Sequence, residues 1–183
     1  MHRQKLIQPT FWITGLSGAG KTTLAQHLYR KLVGLGHISA VLDGDQLRAG
    51  INSDLAFTKE DRIENARRCA EIAKILTSNG VITIVSLITP YRQCFDTVKR
   101  VMHGSNLYII HLSTDIDTCT ARDPKGLYKD ARLGMIDNMT GVSQEYECPE
   151  NPHLTIDTHS ASVQESSQIF ETFALNIISN LPA

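Results

Sequence analysis

Residues 11–22 read Phe11-Trp12-Ile13-Thr14-Gly15-Leu16-Ser17-Gly18-Ala19-Gly20-Lys21-Thr22: an apolar run, a glycine-rich turn, then a lysine and a hydroxyl. The last eight fit G-x-x-x-x-G-K-[ST]. Chemistry explains the spacing. Glycines let the chain wrap so that successive N–H groups point inward at phosphate oxygens. Lys21 reaches the outer phosphates, and the Thr22 hydroxyl suits Mg²⁺. A helix starting at Lys21 presents its N-terminal dipole to the anion. A chance glycine turn is the bland alternative. The preceding strand pattern and the periodic segment from Lys21 to about Leu35 argue for a nucleotide-binding loop instead.

The rest of the chain continues the alternation. Strand-like runs are expected at Ile38 to Leu42, Val81 to Leu87, Leu107 to Leu112 and Leu154 to Ile156. Helices are expected over Lys59 to Ser78, Tyr91 to Met102, Ile116 to Ala121 and Val163 to Ser179. This βαβα order predicts an α/β fold: a parallel sheet with helices on both faces, in one domain over residues 1–183. Residues 122–152 break the rhythm, with three of the six prolines and few large aliphatics. A segment that long between regular elements reads as a mobile lid.

Two further places carry chemistry. Asp43-Gly44-Asp45 closes the second strand, where open α/β sheets bind ligands. One carboxylate suits Mg²⁺ or its waters and the other a substrate hydroxyl, whose proton it would accept. An ordinary Asp-Gly surface turn is the alternative. In the 59–78 helix, at about 100° per residue, Ala66, Cys69, Ala70, Ala73 and Leu76 share a face with Arg62 and Asn65. Glu64, Arg67, Glu71 and Lys74 lie opposite. An inward arginine is costly unless it meets an anion, either a carboxylate such as Asp45 or a substrate. Phe57 has no periodic partner and is read as core or as a stacking platform for a base.

The 18 Lys and Arg against 19 Asp and Glu leave a net charge of −1. This balance speaks against nonspecific binding to nucleic acid or to an anionic membrane. No apolar signal core follows Met1-His2-Arg3-Gln4-Lys5, and no run is long enough to span a bilayer. Cys69, Cys94, Cys119 and Cys148 are too scattered for a zinc site or a disulfide framework. The expectation is a cytoplasmic protein. No N-K-x-D guanine signature occurs, so a small phosphotransferase fits better than a GTPase.

Taken together, GLSGAGKTT (15–23), LDGDQLR (42–48), FTKEDRIENARR (57–68), ITPYR (88–92), RDPKGLY (122–128) and TGVSQEYECPENPHLTID (140–157) resemble the adenylylsulfate kinase (APS kinase) family. They occur in the family's order and span most of the chain. The resemblance implies a P-loop kinase fold with a five-stranded parallel sheet, typically a homodimer. It implies ATP-dependent phosphorylation of the 3′-hydroxyl of adenosine 5′-phosphosulfate. Gly15, Gly18, Ala19, Gly20, Lys21, Thr22 and Thr23 would hold ATP, with Thr22 on Mg²⁺ and Arg122 at the ATP side. Asp45 would face the 3′-hydroxyl, Arg48 the substrate, and Phe57 the substrate adenine. Arg62 and Asn65 would bind the phosphosulfate and sugar side. Ile88, Thr89 and Lys125 would complete the pocket, and Asn138 and Met139 would close over it. Lys21, Asp45 and Lys125 carry the catalytic expectation.

The chain departs from the family pattern at four places. Met139 stands where the family has Phe, Thr89 replaces Ser, and Ala56 replaces Gly. The family's P-Y-E reads Gln144-Glu145-Tyr146-Glu147 without its proline. Two rival readings follow: a sister kinase for a different modified nucleotide, and a catalytically silent nucleotide-binding domain.

Overall fold

A computed structural model describes residues 7–181. The readings placed on Met1 to Leu6 lie outside the described residues. Five parallel strands form one sheet in the order β2-β3-β1-β4-β5: β1 Thr10–Thr14, β2 Ser39–Asp43, β3 Ile82–Ser86, β4 Leu107–Leu112 and β5 Leu154–Ile156. Strand β1 lies at the centre, paired with β3 and β4, and all five of its residues are buried. Alternation along β1 splits the core. Phe11 and Ile13 face a layer built on α1 (Lys21–Gly34) and α7 (Val163–Ser179). Trp12 faces α3 (Lys59–Ser78) and α4 (Arg92–Val101). This is the three-layer arrangement that βαβ crossovers impose.

Most element boundaries agree with the sequence pattern within a residue or two. Two helices escaped it. Gly44–Arg48 forms a short helix, α2, where an extended segment or surface turn was expected. Asp43 caps it by accepting the Asp45 N–H at 3.0 Å. The two acids therefore part ways because a helix starts between them. Inside the irregular segment lies α6, Leu127–Arg132, beyond α5, Ile116–Arg122. Both missed helices are about one turn long, too short for periodicity to register. On α3 the inward stripe holds, with Thr77 buried and Leu76 only half-buried at its end.

The segment 122–152 is tied to the body at several points. Tyr128 is almost fully buried and its hydroxyl donates to the Ser17 carbonyl at 2.9 Å. The Glu147 N–H donates to the Pro90 carbonyl at 2.8 Å, and the Glu147 carboxylate accepts the Arg92 N–H at 2.7 Å. All four cysteines are free, and only Cys148 is exposed. Among the described residues no helix is long and apolar enough to cross a membrane.

Candidate active site

The loop after β1 wraps as the glycines demand. Gly18 has φ +79°, and a Cβ there would sit 2.9 Å from the Cys119 carbonyl oxygen; Gly15 has φ +150° and meets Leu112 just as closely. Helix α1 starts from a left-handed Gly20 with no side-chain cap and no acid in its first turn. Helices α2, α3, α5 and α7 are each capped by an Asp, Thr or Ser oxygen. The first N–H groups of α1 are thus left for an anion. Lys21 folds back over the loop, donating to the Gly15 and Leu16 carbonyls at 2.9 and 2.7 Å. Burial pulls its ammonium down to about 8.

A cavity of about 800 Å³ opens over this loop. Every candidate residue named from the sequence lines it except Gly15, whose carbonyl instead holds Lys21. Asp43, at the end of β2, accepts the Thr22 hydroxyl at 2.8 Å, and the Ser86 hydroxyl lies 3.4 Å from Thr22. This is an oxygen-only donor set of the kind a hard cation takes. Among the described residues no group of three or more His, Cys, Asp or Glu could cage a metal alone. These protein oxygens would suit a magnesium ion that draws its remaining ligands from elsewhere.

Asp45 projects from the first turn of α2 and pairs with Lys125, both lining the cavity, with side chains half (Lys125) to two-thirds (Asp45) exposed. Exposed pairs of this kind are weak and exchange readily for another ligand. Arg48 donates to the Leu55 and Ala56 carbonyls at 3.0 and 2.8 Å, and its guanidinium lies 4.3 Å from the Phe57 ring centroid. Phe57 is 47% exposed, so it is not core. Arg62 also approaches this ring, its guanidinium carbon 5.4 Å from the centroid, so two cations neighbour the ring.

Arg62 is 7% exposed, as its place on α3 predicts. Its guanidinium donates to the Phe57 carbonyl (3.2 Å), the Gln144 side-chain oxygen (3.1 Å) and the Asn138 carbonyl (2.8 Å). No carboxylate pairs with it among the described residues, so the internal salt bridge weighed from sequence does not form. Burial lowers its affinity for its proton, and nearby Arg48 adds to this. Asn65 is buried and accepts from the Asn52 amide at 2.9 Å.

Thr89 is 1% exposed and its hydroxyl accepts the Trp12 indole N–H at 2.8 Å. It is a β-branched residue at φ +49°, a strained backbone of the kind concentrated at binding sites. The neighbouring Ile88 carbonyl accepts from Thr14 at 2.5 Å. Met139 is 6% exposed and joins the α1-side core while lining the cavity. Arg122 donates to the Thr158 carbonyl at 2.5 Å, and the Thr158 hydroxyl donates to the Ala19 carbonyl at 3.0 Å.

Ser86, Thr158 and Ser166 are among the hydroxyl-bearing cavity residues that the sequence reading did not name. Ser86 and Thr158 sit at or just past the C-terminal ends of β3 and β5. The rule that ligands gather at such ends was the signal available for both.

A family model described as adenylylsulphate kinase matches residues 8–157. The adenylyl-sulfate kinase of Halothermothrix orenii is 44% identical over 183 residues, covering 100% of this chain and 97% of its own length. The probable adenylyl-sulfate kinase of Halalkalibacterium halodurans is 46% identical over 164 residues, 90% of this chain and 81% of its own. Among solved structures, Mycobacterium tuberculosis APS kinase CysC in complex with AMPPNP and APS superposes with a TM-score of 0.89 at 37% identity, over 93% of this chain and 99% of that one. A phosphate loop, an acid at the second strand end and an inward arginine thus share one cavity in a chain that matches these relatives nearly end to end, and the chain belongs to the adenylylsulfate kinase family.

Proposed function

We propose that this chain transfers the γ-phosphoryl group of ATP to the 3′-hydroxyl of adenosine 5′-phosphosulfate, giving 3′-phosphoadenylylsulfate and ADP. One observation carries the reading: a buried arginine without a carboxylate, Arg62, lines the same cavity as the phosphate loop. A site for ATP alone needs the loop; a second anionic ligand accounts for Arg62 and Arg48. Lys21, the loop N–H groups and Arg122 hold ATP. Thr22, with Asp43 behind it, would hold Mg²⁺, which would neutralise phosphate charge when bound. Phe57 and Met139 flank the substrate adenine. Asn65, Ile88, Thr89 and Asn138 shape the substrate side of the pocket.

Asp45 leaves Lys125 for the 3′-hydroxyl, orients it in line and accepts its proton late. Lys125, released, moves its charge toward the transferring group. The transition state is loose, so catalysis is mainly positioning and charge neutralisation. The segment 122–152 closes over both ligands and excludes water. The enzyme works in the cytoplasm as a homodimer.

The test is a substrate panel with product identification. Adenylylsulfate should release ADP and yield a 3′-phosphorylated product. Turnover of a cytosine nucleotide in its place would instead favour a sister kinase, the reading that Met139 in place of Phe supports. Binding of ATP without turnover of any acceptor would favour the silent domain.

A further inference from the structure

Gln144 stands in none of the roles above, yet it touches three of the substrate-side elements. Its side-chain oxygen accepts from Arg62 Nε at 3.1 Å. Its amide nitrogen donates to the Phe57 carbonyl at 3.2 Å and to Asn138 Oδ1 at 3.0 Å. The amide's orientation is dictated by its partners. A guanidinium only donates, and a main-chain carbonyl only accepts, so the oxygen must face Arg62 and the nitrogen Phe57. The backbone beneath is held too. Gln144 N–H donates to the Met139 carbonyl at 3.0 Å, and its carbonyl accepts the Gly141 N–H at 2.7 Å. Gln144 does not line the cavity; it stands behind residues that do.

We propose that Gln144 is a positioning residue that aims Arg62, Phe57 and Asn138 at the acceptor nucleotide while leaving the charge of Arg62 unspent. This rests on the assignment of Arg62 to the acceptor's anionic group. A neutral acceptor fixes the guanidinium by geometry without cancelling its charge. A carboxylate at the same place would pair with Arg62 and compete with the substrate anion. It would also set oxygen against oxygen at Phe57 and Asn138. The family's missing proline falls at Glu145, next to Gln144 and not on it.

The test compares Gln144→Glu and Gln144→Met with the parent protein. Steady-state constants for ATP and adenylylsulfate, direct adenylylsulfate binding by calorimetry, and Tm are all measured. Gln144→Met keeps the volume and loses both hydrogen-bonding ends; Gln144→Glu keeps the reach and adds a charge. Expected is a KM for adenylylsulfate raised about tenfold in Gln144→Glu and less in Gln144→Met. KM for ATP should stay within about twofold in both. The salt dependence of adenylylsulfate binding should flatten in Gln144→Glu alone, because the charge it reads is cancelled. An unchanged KM for adenylylsulfate in Gln144→Glu overturns the inference. So does parallel loss of both KM values, kcat and Tm in the two variants, which marks a merely structural residue. If the parent protein itself neither binds nor turns over adenylylsulfate, the proposed function fails first, and the inference with it.

Discussion

Raising the pH should release nucleotide from this site in a window set by Lys21. Its ammonium is brought from 10.5 to about 8, first by burial and then by Lys125, against partial compensation from Cys119, Asp45 and Asp43. At about 1.4 kcal/mol per pH unit, holding that charge in the folded chain costs about 3 kcal/mol relative to water. The cost has a sign. The unfolded chain binds the proton more tightly, so this group contributes stability as pH rises from about 8 to 10.5, and penalises the fold fully below 8. Phosphate reverses the preference, because an anion beside Lys21 favours the charged form. Nucleotide binding at pH 8 should therefore take up about half a proton, and more as pH rises toward 9. Calorimetry of ADP binding in two buffers of different ionisation enthalpy measures that uptake. In the assay, kcat/KM for ATP should fall above about pH 8, since that ratio reports the free enzyme. The limb should weaken in kcat, where bound phosphate keeps Lys21 charged. A kcat/KM that stays level through pH 9, with no proton uptake, would refute the reasoning.

Three other outcomes are expected. Asp45→Asn should keep nucleotide binding and lose at least a hundredfold in turnover, read as ADP release against ADP affinity. Tyr128→Phe strands the buried Ser17 carbonyl and removes one tie between the 122–152 segment and the phosphate loop. It should cost about 1–3 kcal/mol by denaturant unfolding and raise KM for ATP. Glu64 is held down to about 2, first by its hydrogen bond from Arg67 and then by that from Arg68. Its stabilisation is present above about 4.5 and lost as pH falls toward 2, so Glu64→Gln should flatten acid unfolding in that window, followed by circular dichroism.

The order of strands and helices was legible because buried parallel strands are continuous apolar runs and long helices carry a 3.6-residue stripe. Arg62 and Asn65 could be placed inward for the same reason. What escaped was short or nonlocal. Helix α2 is a single turn, so nothing in the sequence pattern separates Asp43, which turns to Thr22, from Asp45, which turns to Lys125. The irregular stretch 122–152 reads as one lid, yet it docks through Tyr128, Gln144 and Glu147, which find partners between 55 and 111 residues away.

Residues 15–22 alone determine that phosphate is bound, because a backbone cradle and one lysine are a local device. Family motifs extend that to the acceptor's identity. Only the tertiary structure decided what surrounds Arg62. Whether a buried guanidinium is spent on an internal carboxylate or kept for a ligand depends on which oxygens the rest of the chain delivers to it. Here they are two carbonyls and one amide, all uncharged, from residues 57, 138 and 144. That charge balance is a property of folded geometry, and no spacing along the chain encodes it.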